Sequence, residues 1–579
     1  MLHRTLIAQL ALFSTPLLLS ACATAPERPT AGIAAAVPTP AATGLVSAAD
    51  PRAAQAGAAM LRQGGSATDA AIATMLALTV VEPQSSGIGG GGFYIHAAPD
   101  GTVDTIDGRE AAPAGADGRW FLDPAGGPLP FRTAVVSGLS VGVPASLALV
   151  ARAHQESGRL PWASLFAPAI ALARDGWDLS PRFVQFLDRS IEAGRHDPDA
   201  AALFYGADGA PLPVGTHVRN PALATTLETL ASGGADAFYH GTLGQQVAAD
   251  VAAETPRTGA MTVADIAAYQ AKDRPAVCGE YRQYRICGMG PPSSGATTVY
   301  AILKQLERFD LTAMGPRSPT FWHLFGESQR LAYADRELYL GDPDFMQVPV
   351  AGLTDPAYLA SRGALLSPDS TLATVTAGPV PGAPPRADGA EPEENGTSHF
   401  VAIDSAGNVV SYTSTIESVF GSGIVTGGFF LNNELTDFSF VPQKGGLPVA
   451  NRVEGGKRPR SSMAPSVVYG PDGRLVMGVG AAGGATIPVQ VARALIGVID
   501  FHLSMADALA LPVLYSPAGA VTVEQGSYLE AMIPQLQALG HAQVTARALP
   551  LKANGALLTG AGVWEGAADP RSEGGVAGQ

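Results

Sequence analysis

Cysteine is scarce: three in 579 residues cannot build a disulfide framework. Histidine is scarce too, at 10, and no CxxC, HExxH or HxH spacing is present, which argues against a structural zinc or other metal site. Positive charge is in deficit, with Lys+Arg 36 against Asp+Glu 51 and a formal net charge of −15. No stretch interleaves basic with aromatic residues, so a phosphate backbone is repelled and nucleic acid is not an expected partner. Gly 68 and Pro 46 together make about a fifth of the chain, below the ~25–30% of low-complexity disorder. With 46% hydrophobic residues, the chain can bury a sizeable core, as several domains or as one large enzyme.

The first 22 residues read as a signal peptide: His3 and Arg4, an apolar stretch from Leu6 to Leu19, then Leu19-Ser20-Ala21-Cys22. The stretch is too short to span a bilayer. Its end resembles a bacterial lipoprotein signal, whose cysteine is lipidated and becomes the mature N-terminus; the alternative is an ordinary cleaved signal with Cys22 incidental. The resemblance implies a periplasmic protein held to a membrane by lipid. Ala23 stands where an aspartate would favour the inner membrane, which points to the outer one. Residues 23–43, rich in Ala, Pro and Thr, read as a disordered tether. Export places the other two cysteines in an oxidising compartment. A hairpin about Arg282-Gln283 sets Cys278 opposite Cys287, so a disulfide is sterically reasonable. Two free cysteines on adjacent strands are the alternative, since closing so short a loop gains little.

Residues 51–82 show helical spacing at Ala53, Ala56 and Met60, a break at Gly64-Gly65, and a second run from Thr68 to Val81. Gly87-Ile88-Gly89-Gly90-Gly91-Gly92 follows and formally satisfies G-x-G-x-x-G. A helix precedes it and strand-like Phe93-Tyr94-Ile95-His96 comes after, the reverse of the order that dinucleotide binding requires. Residues 145–345 read as mainly helical, and 367–395 as an exposed loop. Beyond 396 the pattern turns strand-like. Runs at 397–403 and 409–415 flank a turn at Asp404-Ser405-Ala406-Gly407-Asn408, with further strands at 428–431, 466–469 and 475–478, and a helix from about Thr486 to Phe501. Helices laid over strands predict a layered sandwich.

Centring the hairpin on Ala406 pairs 403 with 409, 401 with 411, 399 with 413 and 397 with 415. Thr397 and Thr415 then face each other, with Cβ atoms ~4.5–5.5 Å apart. Alone, this is a stabilising cross-strand pair. Upstream, however, an acidic loop ends in Asn395-Gly396, and one cleavage there would free a threonine α-amine beside its own hydroxyl, a base next to a nucleophile. Gly396-Thr397-Ser398-His399 is followed by Asp404-x-x-Gly407-Asn408, Thr415, Phe420-Gly421-Ser422-Gly423, Leu431-Asn432-Asn433-Glu434 and Asp437-Phe438-Ser439. Lys457-Arg458-Pro459-x-Ser461-Ser462-Met463, Gly483-Gly484 and Asp569-Pro570-Arg571 complete the second half. The first half adds Leu61-Arg62-Gln63-Gly64-Gly65-x-x-x-Asp69-Ala70-Ala71, Gly89-Gly90-Gly91-Gly92-Phe93, Arg109-Glu110-x-Ala112-Pro113, Gly142-Val143-Pro144 and Pro291-Pro292-Ser293-Ser294-Gly295. In this order the motifs resemble the gamma-glutamyltransferases (glutathione hydrolases), N-terminal-nucleophile hydrolases that cut themselves before a threonine. The likeness runs over about residues 44–575.

The resemblance implies an α+β fold, a four-layer αββα sandwich with a mainly helical part in the first half. It implies a proenzyme cut at Gly396-Thr397 into a large subunit, 44–396, and a small subunit, 397–579, which remain together. Thr397 is the implied nucleophile, Thr415 the residue that holds its Oγ, and Gly483 and Gly484 the donors of oxyanion N–H groups. Arg109 with Ser461 and Ser462 would clamp the α-carboxylate of a gamma-glutamyl donor such as glutathione. Glu434 and Asp437 would hold its α-ammonium. No cofactor is implied. Glu417 departs from the pattern, standing where the family generally carries asparagine, and so adds a third carboxylate beside the ammonium site. The connection from Asp437 to Ser461 also looks shorter than in bacterial members with a lid, which implies a more open site.

Three rival readings remain. Gly138-Leu139-Ser140-Val141-Gly142 is a G-x-S-x-G behind strand-like 133–136, as in a serine esterase with Ser140 as nucleophile, although Pro144 would sit inside the elbow helix. A non-catalytic peptide-binding lipoprotein would keep the Arg109, Glu434 and Asp437 pocket without cleavage. The acylases of the same family, which release glutaryl groups from beta-lactam side chains, need no ammonium site.

Overall fold

Strands that follow Gly396 have no polar face to give to water. All eight residues of Gly396–Ile403 and all nine of Val409–Glu417 are buried, so each face needs a cover. In the computed structural model, which describes residues 44–389 and 396–579, a second sheet covers one face and helices the other. The signal peptide and tether expected at 1–43, Cys22 among them, and the end of the acidic loop lie outside the described residues.

Numbered in chain order, the first sheet contains β1 (Leu45–Ala48), β2 (Gly91–Ala97), β3 (Val103–Gly108), β4 (Lys272–Asp273), β7 (Gly396–Ile403), β8 (Val409–Glu417) and β13 (Gly575–Gly578). Their spatial order is β13-β1-β7-β8-β2-β3-β4. The second contains β5 (Val277–Tyr281), β6 (Tyr284–Gly288), β9 (Ser466–Tyr469), β10 (Leu475–Ala482), β11 (Lys552–Leu558) and β12 (Trp564–Ala568), ordered β12-β11-β10-β9-β6-β5. The sheets meet through small residues. A Cβ on Gly478 would strike Val401, and one on Gly480 would strike the ring of His399. Helices α1 (Pro51–Arg62) and α2 (Ala67–Val81) cover the outside of the first sheet; α3 (Gly295–Leu306) and α4 (Ile487–Ile499) cover the second. The four layers are those of the αββα sandwich.

Local chemistry explains these elements. Asp50 caps α1 with Pro51 in its first turn, Gly64 turns out of it at φ +82°, and Ser66 and Asp69 form a capping box that restarts the chain as α2. All of α2 is buried, which its run of Ala, Ile, Leu and Val permits. Arg282 and Gln283 both take positive φ between β5 and β6, the geometry of a tight hairpin turn, and the Sγ atoms of Cys278 and Cys287 are bonded across it.

Three sequence expectations change. The 397–415 pairing is not kept: the register holds from 409↔403 to 414↔398, then a bulge inserts one extra residue so that Glu417 pairs with Gly396. Thr415 instead lies opposite Gly91 of β2. The stretch before Ser140 is helical, Phe131–Val135, and Ser140 lies buried in a 3-10 turn with its hydroxyl donated to the carbonyls of Val135 and Ser137 at 2.7 and 2.8 Å. That is no exposed nucleophile elbow. The strand expected at 428–431 shrinks to Phe429–Phe430, paired with Val425–Thr426 in a small separate ribbon.

Candidate active site

The bulge in β8 brings the two threonines together although their backbones are out of register. Thr397 Oγ1 lies 2.5 Å from the Gly396 carbonyl oxygen and 3.3 Å from Thr415 Oγ1. Thr415 Oγ1 donates to the same carbonyl at 2.6 Å and accepts the Glu417 backbone N–H at 2.8 Å. One carbonyl thus has two hydroxyls against it, which polarises it toward attack. The second sheet supplies the opposite wall. His399 packs on Gly480 and Val401 on Gly478, so two residues along the same face Thr397 comes to the end of β10, at Ala482-Gly483. Gly483 takes φ +121°, and a Cβ there would collide with the Pro550 carbonyl. Gly484–Thr486 is a 3-10 turn leading into α4, so this corner presents backbone N–H groups at a helix start.

Arg109 follows β3 and is buried. Its guanidinium forms ion pairs with both Glu434 and Asp437, donates to the Arg460 carbonyl at 2.9 Å and through Nε to the Pro459 carbonyl at 3.2 Å. Glu434 and Asp437 open and close one 3-10 turn, Glu434–Asp437, which aims both acids inward. Glu434 Oε2 has no hydrogen-bond partner among the described residues. Ser461 and Ser462 are buried in the neighbouring strand-like segment. The Ser461 carbonyl accepts from the backbone N–H and hydroxyl of Ser294, both at 2.7 Å, and Ser462 Oγ accepts from Arg336 at 2.7 Å.

Glu417 stands at φ +74°, an uncommon conformation for a side chain of its size, and is buried. Its carboxyl accepts from the Ser418 hydroxyl at 2.5 Å and from the Asn433 amide. Burial, and after it the charge of Asp437, push this carboxyl up to about 8. Burial likewise raises Glu110 to about 8, with neither of its oxygens partnered among the described residues. The site therefore groups Arg109 with three carboxylates, and near neutrality Glu417 is held mainly in its protonated form.

Sequence reasoning missed a second buried cluster beside Thr397. Ser398 donates to Glu82 Oε2 at 2.6 Å, and Lys552 Nζ reaches Glu82 Oε2 at 3.0 Å, Ser398 Oγ at 3.3 Å and Ser85 Oγ at 3.4 Å. Lys552 pairs with Ala482 in the ladder, so one ammonium joins α2, the strand of Thr397 and the strand before Gly483. Burial lowers its pKa despite Glu82. Asn433 and Arg336 were missed too. Adjacency to motif residues was the one available signal for Asn433 and Ser398; Glu82, Arg336 and Lys552 carry none, since they lie 315, 61 and 155 positions from Thr397.

No group of three or more His, Cys, Asp or Glu side chains suited to a metal ion occurs among the described residues. A site with a hydroxyl nucleophile against a polarised carbonyl, backbone N–H donors and a buried arginine-carboxylate set is suited to acyl transfer from an amide that carries a charged head.

Comparison with known proteins agrees. The sequence model of Gamma-glutamyltranspeptidase matches residues 53–579. The glutathione hydrolase proenzyme of Escherichia coli (strain K12) is 36% identical over 477 residues, covering 81% of this chain and 80% of that one. Among solved structures, a cephalosporin acylase from Bacillus halodurans superposes with a TM-score of 0.80 at 26% identity, over 93% of this chain and 96% of that one. The Helicobacter pylori gamma-glutamyltranspeptidase gives 0.54 at 34% identity, over 56% of this chain and 93% of that one. On the family match and the identity together, this chain belongs to the gamma-glutamyltranspeptidase family.

Proposed function

We propose that the chain is a glutathione hydrolase proenzyme that cuts its own Gly396-Thr397 bond and then hydrolyses or transfers gamma-glutamyl groups. The carrying observation is the Thr397 hydroxyl lying against its own preceding carbonyl while the Thr415 hydroxyl donates to that same oxygen. In the first step Thr397 Oγ attacks the Gly396 carbon, the C–N bond breaks and the nitrogen takes the proton; water then hydrolyses the ester, leaving a Gly396 carboxylate and a free Thr397 amine. That amine next accepts the Oγ proton as Oγ attacks a donor amide. Gly483 and Gly484 N–H groups stabilise the oxyanion, the amine returns the proton to the leaving nitrogen, and a gamma-glutamyl ester stays on Thr397 until water or an acceptor amine takes it.

The head of the donor is a zwitterion. Its α-carboxylate turns to Arg109 with Ser461 and Ser462, and its α-ammonium to Glu434, Asp437 and Glu417. The existing pairs of Arg109 with Glu434 and Asp437 are thereby exchanged for pairs with the two ends of a zwitterion, so no net charge is brought into the buried site. A beta-lactam side-chain acylase is the second reading, favoured by the likeness to the Bacillus halodurans enzyme; the buried acids at 434 and 437 favour an ammonium-bearing donor instead. Export through the signal at 1–22, with lipid on Cys22, fits a periplasmic enzyme. No helix of the described residues is long and apolar enough to cross a membrane.

Intact mass of purified protein tests the reading. Two fragments, the lighter beginning at Thr397, are expected. Thr397→Ala is expected to remain one chain, and Thr397→Ser to cleave more slowly. A cut elsewhere, a cut in the alanine variant, or a single-chain wild type without activity on a gamma-glutamyl anilide, with or without glycylglycine, refutes it; the last result favours a peptide-binding lipoprotein.

A further inference from the structure

Resting on that function, we infer that Thr486 and Gln490 are positioning residues that turn the peptide planes at Gly483 and Gly484 so that both N–H groups face the nucleophile, and that they serve substrate turnover but not self-cleavage. The two lie four positions apart, Thr486 as the residue that opens α4 and Gln490 inside it, hence on one face, and both are buried. Gln490 Nε2 donates to the Ala482 carbonyl at 2.8 Å and to Thr486 Oγ1 at 2.9 Å. Thr486 Oγ1 in turn donates to the Gly483 carbonyl at 2.7 Å, and the Thr486 backbone N–H donates to the same oxygen at 3.2 Å. The Tyr333 hydroxyl donates to the carbonyl of Ala485, so three carbonyls of this corner are tied down by side chains.

The peptide bonds at this corner are trans, and a trans peptide holds its C=O and N–H antiparallel. Tying the Ala482 carbonyl to Gln490 therefore points the Gly483 N–H away from α4, and tying the Gly483 carbonyl to Thr486 does the same for the Gly484 N–H. α4 packs on the outer face of the second sheet, whereas β7, which carries Thr397, packs on its inner face. Away from α4 is thus toward the nucleophile. Neither N–H has an acceptor among the described residues, which leaves both for an oxyanion. The Gly396 carbonyl oxygen does not use them: its partners are the hydroxyls of Thr397 and Thr415, at 2.5 and 2.6 Å. One device thus polarises the bond the chain cuts in itself, and another serves the substrate.

The test uses Thr486→Val and Gln490→Met, alone and together, with a gamma-glutamyl anilide as donor. Deleting one oxyanion donor outright lowers kcat by about 10²–10³, so releasing its orientation should lower kcat/KM by about 10- to 100-fold. The Ki of glutamate, which reports binding of the donor head alone, should stay within about 2-fold of wild type. A glutamate analogue with a boronic acid in place of its γ-carboxyl forms a tetrahedral adduct with a hydroxyl, and its Ki should rise in proportion to the loss of kcat/KM. Thr486→Ser keeps the hydroxyl and should keep most of the activity. Self-cleavage of every variant should run within about 2-fold of the wild-type rate, which also shows that the variants fold. Wild-type kcat/KM in the double variant, turnover and self-cleavage falling together, or glutamate affinity lost in step with turnover overturns the inference and leaves the function standing. A wild type with neither activity on gamma-glutamyl donors nor affinity for glutamate overturns both.

Discussion

Glu417→Asn isolates one carboxyl from a crowded site. In the folded chain this carboxyl sits at about 8, against 4.5 for an unperturbed glutamate. A raised carboxyl pKa means that the folded state holds a proton which the unfolded state has released. Below about pH 4.5 both states are protonated and no pH-dependent term exists. Between about 4.5 and 8 stability falls as pH rises, by about 1.4 kcal/mol per unit, and above 8 the loss is complete at about 5 kcal/mol. Part of this is shared with Asp437, so a measured difference of about 2–5 kcal/mol is expected. Thermal melts in the uncleaved Thr397→Ala background at pH 5 and pH 8 provide the comparison: Glu417→Asn should lose less stability across that interval than its parent. Kinetics supply a second readout. A bound ammonium favours ionised Glu417, so kcat/KM of wild type should rise toward pH 8 on two ionisations, Glu417 and the Thr397 amine, whereas the asparagine variant keeps the amine alone. The acid limb of log kcat/KM then approaches a slope of two in wild type and one in the variant. Superimposable profiles together with parallel melts would refute the placement of Glu417 in the site.

Other perturbations have signs fixed by burial. Arg109→Ala leaves Glu434 and Asp437 buried without their cation and should cost about 3–5 kcal/mol in a chemical melt of the Thr397→Ala chain, beyond its loss of donor binding. Lys552→Met strands Glu82 in the same way; it should destabilise by about 3–5 kcal/mol and slow the appearance of the Thr397 fragment, and an unaltered rate of cleavage would show that the cluster only supports the fold. Reduction of the Cys278–Cys287 bond, or Cys278→Ser, should cost no more than about 2–3 kcal/mol, since it closes a loop of sequence separation 9.

Much of this fold was legible because its signals are local. The Gly64-Gly65 break, the Asp404 to Asn408 turn and the hairpin at Arg282-Gln283 each depend on residues a few positions apart, and each lies where the pattern placed it. The bulge in β8 was not legible. Alternation continues through Thr413, Ser414 and Thr415 without a break, and only the ladder to β7 shows where the register slips. The short strands at 277–281 and 284–288 inside a mainly helical half complete a sheet whose other members all come after residue 460. In the candidate site, Thr397, Arg109, Glu434 and Asp437 were singled out as candidates through ordered motifs, and the structure places Arg109 against both acids. Glu82 and Lys552 were not, because a buried ion pair formed across 470 positions has no spacing to read.

The order of the first sheet, β13-β1-β7-β8-β2-β3-β4, interleaves what lies before residue 396 with what lies after it. β7, whose first residues flank the bond proposed to be cut, is zipped on one side to β1 and on the other to β8, which in turn is zipped to β2. Before the cut, unfolding and refolding of this weave are events within a single molecule. Afterwards the same weave has to be rebuilt from two molecules, with a search that depends on concentration and strand edges exposed to wrong partners. The finished enzyme is therefore guarded by its rate of unfolding rather than by its ability to recover. Heat that the precursor survives reversibly should inactivate the cleaved form for good.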